Sequence, residues 1–179
     1  TPASTEWNTR MTEFITVESI KPQLALITLN RPERRNALCI ELLNDLCGRV
    51  EKMVTEKTAR VVILRGAGSV FSSGLDLSEA SNPELVQRPA EAVSRALQLM
   101  RATPIVTIAA AHGGAYAGGA GLMAACDIAI GTTELKIGFP EARRGLLPAL
   151  ICAVLSVKVR EGDLRELFLA GEPIDATRA

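Results

Sequence analysis

The chain has 179 residues, 47% of them apolar and 22% charged, which suits one folded domain and excludes a disordered segment. Lysine plus arginine equals aspartate plus glutamate at 20 each. With a formal net charge of zero there is no electrostatic reason to expect nucleic acid or an anionic membrane as partner. The longest apolar run, residues 104–111, is strand-sized and too short to span a bilayer.

Residues 1–10 are polar and lack the apolar centre of a secretory signal, so a disordered leader over 1–12 and a core over 13–179 are expected. The cytoplasm is then the default compartment. Cys39, Cys47, Cys126 and Cys152 are scattered, with no CxxC pair and a single histidine. Zinc-ligand spacing is missing, and free thiols with no metal site are expected.

Residues 14–17 and 24–30 read as two strands, with Lys21 and Pro22 marking the turn between them. A helix follows over 40–56, where Ile40, Leu43, Leu46, Cys47, Val50, Met53 and Val54 recur at steps of three and four. Residues 61–64 form a short, wholly apolar run closed by Gly66 and Gly68, the pattern of a strand buried on both faces. Strand, helix and buried strand make a βαβ unit. A second cycle runs through a helix over 89–101, a strand over 105–110, a short helix over 119–126 and a strand over 127–130. Two more helices are expected. The second should start at Asp163, with Glu166 at capping-box spacing, and end at Gly171.

Ligands in such folds gather beyond the carboxyl ends of the strands. The loop over 66–78 and the segment over 112–121 are both rich in glycine, and the latter opens a helix. Two loops of this kind can hold one carbonyl oxygen between two backbone amides and so stabilise an enolate. The third loop, over 138–148, holds one acid, Glu141. A carboxylate among apolar neighbours is suited to proton transfer. On composition alone the structural reading of Glu141 is the stronger: a first-turn helix residue after Pro140, with Arg143 and Arg144 solvated beside it.

Four motifs in order carry a family resemblance. FSSGLDLSE at 71–79 resembles the loop F-x-A/S-G-x-D-hydrophobic of the enoyl-CoA hydratase/isomerase (crotonase) family. AGGAGLMAACD at 117–127 is similar to its glycine-rich oxyanion helix, and FPEARRGLLP at 139–148 to its P-E-x-x-x-G-hydrophobic-x-P element. Asn30, Arg31 and Pro32 with Asn36, Ala37 and Leu38 match its opening CoA-side loop.

The resemblance implies an α/β crotonase-like (ClpP/crotonase) spiral of ββα-type turns. It also implies a C-terminal helical trimerisation module that is largely absent from this chain, so that the core is cut short at its C-terminal end. By position, Leu75 and Gly118 would supply the oxyanion amides and Glu141 the catalytic acid/base. Ser73, Asp76, Leu77 and Ser78 would line the CoA arm, with Arg34, Ala37 and Leu38 near its pantetheine or nucleotide end. CoA would arrive with the acyl-CoA substrate, no other cofactor is implied, and the full-length protein would be a homo-oligomer, a trimer or hexamer.

One departure bears on the reaction. Hydratases of the family often carry a second glutamate where this chain has Gly121. Hydration benefits from two acid/base groups, whereas moving a double bond needs one. Isomerisation is therefore slightly favoured. The alternative is a hydratase of branched acyl-CoA, since residues 141–149 also resemble that branch, some members of which lack the second acid.

Other classes fit less well. Gly119, Gly121 and Ala124 match G-x-G-x-x-A, with Glu141 where a ribose-binding acid could sit, but the helix has room for two turns only. A serine hydrolase would use Ser72 or Ser73, yet Val70 replaces the first glycine of G-x-S-x-G. His112, the sole candidate base, reads better as a strand-end histidine bonded to backbone. A catalytically degenerate CoA-binding or interaction protein is the non-enzyme reading, and a structural relative should bind neither acyl-CoA nor free CoA.

Overall fold

The structure, a computed structural model, describes residues 14–85 and 87–179. The expected leader over 1–12 lies outside the described residues. Strands β1 (Ile15–Lys21) and β2 (Gln23–Leu29) form an antiparallel hairpin, as the turn signal predicts. Three strands then add in parallel: β3 (Ala59–Gly66) on β2, β4 (Val106–Ala111) on β3 and β6 (Ile128–Gly131) on β4. The order is β1-β2-β3-β4-β6.

Helices α1 (Ile40–Glu56) and α3 (Arg88–Ala102) make the crossovers. Leu43, Leu46, Val50 and Met53 of α1 and Val93, Leu97 and Met100 of α3 are buried in one core with the sheet. In-register neighbours Ile27, Leu64 and Ala109 of β2, β3 and β4 share the helix-covered face and are fully buried. Their alternates Val61 and Ile63 are only partly buried. The expectation that β3 is buried on both faces is thus met on one, because helices cover that side and the opposite side is covered in part.

A second sheet, β5-β7-β8, was not legible in the sequence. Strands β5 (Gly114–Tyr116) and β7 (Lys136–Gly138) have three residues each and β8 (Ile174–Asp175) has two, too few to show a period. The remaining helices are α2 (Leu77–Ala80), α4 (Gly118–Ala125), α5 (Ala149–Leu155) and α6 (Glu161–Ala170). Helix α6 begins at Glu161, not at Asp163, and Arg160 at its N-cap makes no side-chain cap. The expected capping box does not form because Asp163 accepts from Arg160 and Glu166 from Arg178. Its C-terminal end matches: Gly171 takes the left-handed conformation at φ 63°.

Parallel strands bring their carboxyl ends to one edge, and backbone bonds join the loops there. Phe71 N–H donates to His112 O, Ser72 N–H to Gly114 O, and Tyr116 N–H to Ser72 O. Leu38 N–H donates to Gly74 O and Asp76 N–H to Leu38 O, a parallel bridge that straddles Leu75.

Candidate active site

A cavity of about 780 Å³ opens at this edge. Leu75, Gly118 and Glu141 line it, as do Arg34, Ala37, Ser73, Asp76, Leu77 and Ser78. Of the ten residues that the resemblance assigns to the oxyanion amides, the acid/base and the CoA arm, Leu38 is the one that does not line the cavity. It is 1% exposed, and its side chain lies beneath Gly118, with Cδ1 3.5 Å from where a Gly118 Cβ would stand.

The two amides border one gap. A Cβ on Gly118 would fall 3.7 Å from Leu75 N, and one on Gly74 would fall 3.4 Å from Gly118 N. Gly118 opens α4, so its N–H has no partner within the helix. Neither this N–H nor that of Leu75 donates to another group among the described residues. Two unengaged donors on one wall are the equipment for holding a carbonyl oxygen that gains charge. The preceding Ala117 sits at φ 50°, ψ −123°, a conformation ordinarily left to glycine. Its N–H is tied to Gly138 O and the neighbouring Tyr116 N–H to Ser72 O, which holds the strained residue in place.

Glu141 lies in a 3₁₀ turn over Pro140–Arg144, half-buried, on the wall of the same cavity. Its Oε2 is buried with no hydrogen-bond partner. The other such atom among the described residues, Asp45 Oδ2, belongs to a carboxylate that Arg49 already engages. Burial holds the Glu141 carboxyl above its ordinary value, against the weaker pull of its own amide and of Arg144. A half-buried acid with an oxygen that no protein group engages is poised to take and return a proton.

The folded chain holds this proton more tightly than the unfolded one. Its contribution to stability is therefore complete below the ordinary carboxylate value and is lost as pH rises through the raised one. A base must be deprotonated, so a reaction in which this group took up a proton would slow as pH falls, with an acid limb of kcat/KM above the usual carboxylate range that disappears in Glu141→Gln. A limb at an ordinary glutamate value would contradict the environment described.

Asp76 is committed to the protein. Its Oδ1 accepts from Ser78 N–H and Oγ, and its Oδ2 from Arg31. Burial works to raise its pKa, but these donors outweigh burial and hold the carboxyl below its usual value. The acidic loop also caps α1 from a distance, since Glu79 Oε2 accepts from Ile40 N–H.

The rival sites do not assemble. A Cβ on Gly119 would meet Ser72 Cβ and O at 2.7 Å, and one on Gly121 would meet Ile151 Cγ1 at 2.9 Å. These glycines serve close packing, and no open cradle for a pyrophosphate lies over them. Ser72 Oγ is buried and donates to Asn36 O, while His112 Nε2 meets Gly68 O at 2.9 Å. The thiols are free, and Cys126 is pushed up to about 12 by burial, as inert core thiols are. No group of three or more metal-ligating side chains is found among the described residues. No helix among them is long and apolar enough to cross a membrane.

The family model described as enoyl-CoA hydratase/isomerase matches residues 19–179. The chain belongs to the enoyl-CoA hydratase/isomerase family. Among relatives of this family, the mitochondrial enoyl-CoA hydratase domain-containing protein 3 of Mus musculus is 31% identical over 99% of this chain and 59% of its own length. The hydroxycinnamoyl-CoA hydratase-lyase of Pseudomonas fluorescens is 33% identical over 72% of this chain and 49% of its own. The crystal structure of an enoyl-CoA hydratase from Bacillus anthracis superposes with a TM-score of 0.88 at 31% identity, covering 93% of this chain and 66% of that one. The fold is therefore crotonase-like. The chain spans 54–66% of the length of the first four curated relatives it matches.

Proposed function

We propose that this chain acts on an acyl-CoA thioester through an enolate held by the Leu75 and Gly118 amides, with Glu141 as the single acid/base. The observation that carries the reading is a half-buried Glu141 with an unpartnered Oε2, on the wall of a cavity that also bears two unengaged amides. The amides would accept charge from the thioester oxygen, and Glu141 would remove a proton from one carbon and return it to another. Coenzyme A enters as part of the substrate, and no further cofactor takes part.

Double-bond isomerisation is favoured by the packing at Gly121. Ile151 lines the cavity and fills the space that a side chain at 121 would need. The proposed chemistry uses Glu141 as its one acid/base, where hydration benefits from two. Hydration is the second reading, supported by the hydratase names that relatives carry. Exposed apolar side chains on β4 and β6, Val106, Ile128 and Ile130, favour a homo-oligomer as the working form.

The two reactions separate by product. The protein is given a 3-enoyl-CoA and, in a second assay, a 2-enoyl-CoA, with chromatography and mass spectrometry of what forms. Conversion of the 3-enoyl thioester to its 2-enoyl isomer without a hydrate is expected. Gain of one water by the 2-enoyl substrate would establish hydration instead. No reaction and no thioester binding would remove the enzymatic reading.

A further inference from the structure

Arg31 has no part in the chemistry above, yet it sits behind it. Its side chain is 15% exposed, and Nη1 donates both to Ala37 O at 3.1 Å and to Asp76 Oδ2 at 2.5 Å. Its backbone N–H donates to Asn36 Oδ1, and Asn36 Nδ2 in turn donates to Ala67 O and Val70 O. One arginine therefore ties the 30–38 loop to the residue that follows Leu75.

The consequence falls on one peptide. Leu75 is gripped on both sides by bonds to Leu38, through Gly74 O and Asp76 N–H, while its own N–H is left over. Gly74 is anchored further by donating to Ser72 Oγ. On the other flank, Asp76 is fixed by Arg31 and Ser78. The direction of the Leu75 N–H is set by how firmly residues 74 and 76 are held, and Arg31 is a side chain of the opposite loop that holds residue 76.

We propose that Arg31 and Asp76 are a positioning pair that aims the Leu75 amide into the cavity, and that the Asp76 carboxylate serves this role instead of contacting substrate. The inference rests on the proposed enolate chemistry and adds to it residues that touch no reacting atom. A displaced donor loses strength at the moment charge develops, so the effect should fall on turnover and spare substrate affinity.

The test uses Asp76→Asn, Arg31→Met, the double variant and the charge-keeping Arg31→Lys. The double variant leaves no unpaired charge, so it separates misplacement from the cost of a lone buried ion. Three quantities are read: kcat, the Kd of a saturated acyl-CoA, and the stretching frequency of the thioester carbonyl in a bound, unreactive thioester. Wild type should lower that frequency relative to free thioester. The two single variants and the double variant should show kcat lower by between about tenfold and a hundredfold. They should also show a smaller carbonyl shift and an unchanged Kd. Losses in the double variant should match those in the singles, and Arg31→Lys should recover part of both.

A weaker Kd in Asp76→Asn with the carbonyl shift intact would overturn the inference and make Asp76 a direct CoA contact. Recovery of kcat in the double variant would overturn it too, since only the lone charge would then have mattered. Absence of any carbonyl shift in wild type would remove the enolate reading itself, and this inference with it.

Discussion

Glu141→Gln is expected to lower turnover by on the order of a hundredfold or more while leaving the Kd of acyl-CoA essentially unchanged. The substitution keeps shape and polarity and removes only the capacity to carry a proton between carbons. Its effect on the fold should be small, because Oε2 makes no bond that would be lost. It also removes a carboxylate that burial disfavours, so stability should no longer decline as pH rises through the raised Glu141 value. Steady-state kinetics on the reactive thioester, calorimetric titration with a saturated one and thermal melts across pH check the three statements. Turnover within a few fold of wild type would mean that the proton moves by another route.

Gly74→Ala should be nearly as damaging by a different mechanism. Gly74 sits at φ 92°, and an added Cβ would meet Tyr116 O at 2.7 Å and Ala117 Cβ at 2.8 Å. These atoms lie on the loop that leads to Gly118, and the backbone of Tyr116 is tied to Ser72. The methyl group must therefore force the two amide-bearing loops apart. Losing productive geometry at one donor corresponds to a fall in kcat on the order of a hundredfold. A stability loss of about 1–3 kcal/mol is expected alongside, from left-handed strain and overlap. Gly162→Ala on α6 is the control, since nothing lies within 4 Å of its added Cβ. That change should leave activity alone and raise stability by about 0.5–1 kcal/mol through helix propensity. Equal behaviour of the two alanine variants would show that the close approach at Gly74 has no role in the site.

The placement of Asp76 shows where motif reading stops. Its position in the glycine loop suggested the CoA arm, and the residue does line the cavity. Whether its carboxylate turns outward or back toward Arg31, 45 residues away in sequence, depends on how the two loops dock. Leu38 is a similar case. Its motif is legible, but its side chain turns under Gly118 because its backbone completes the bridge to Leu75.

What the sequence determined by itself is the set of elements whose own residues carry enough apolar periodicity to fix them. Helices α1 and α3 and strands β2 and β4 fall within a few residues of their expected bounds, because α1, α3 and β4 each bury one face along their own length and β2 is a continuous buried run. Glu141 stood out as the one acid of its loop and the two glycine-rich loops as amide donors, but Leu75 and Gly118 as the proposed individual donors came only through motif resemblance, since a backbone amide leaves no mark in composition. The tertiary structure alone decided the rest. The short strands β5, β7 and β8 exist because distant segments pair, and Glu166 of α6 is engaged by Arg178 from beyond the helix. Likewise Gly121 lies beneath Ile151, and Glu141 Oε2 is left without a partner. Each of these depends on which surfaces meet across long separations in the chain, and local pattern does not encode such meetings.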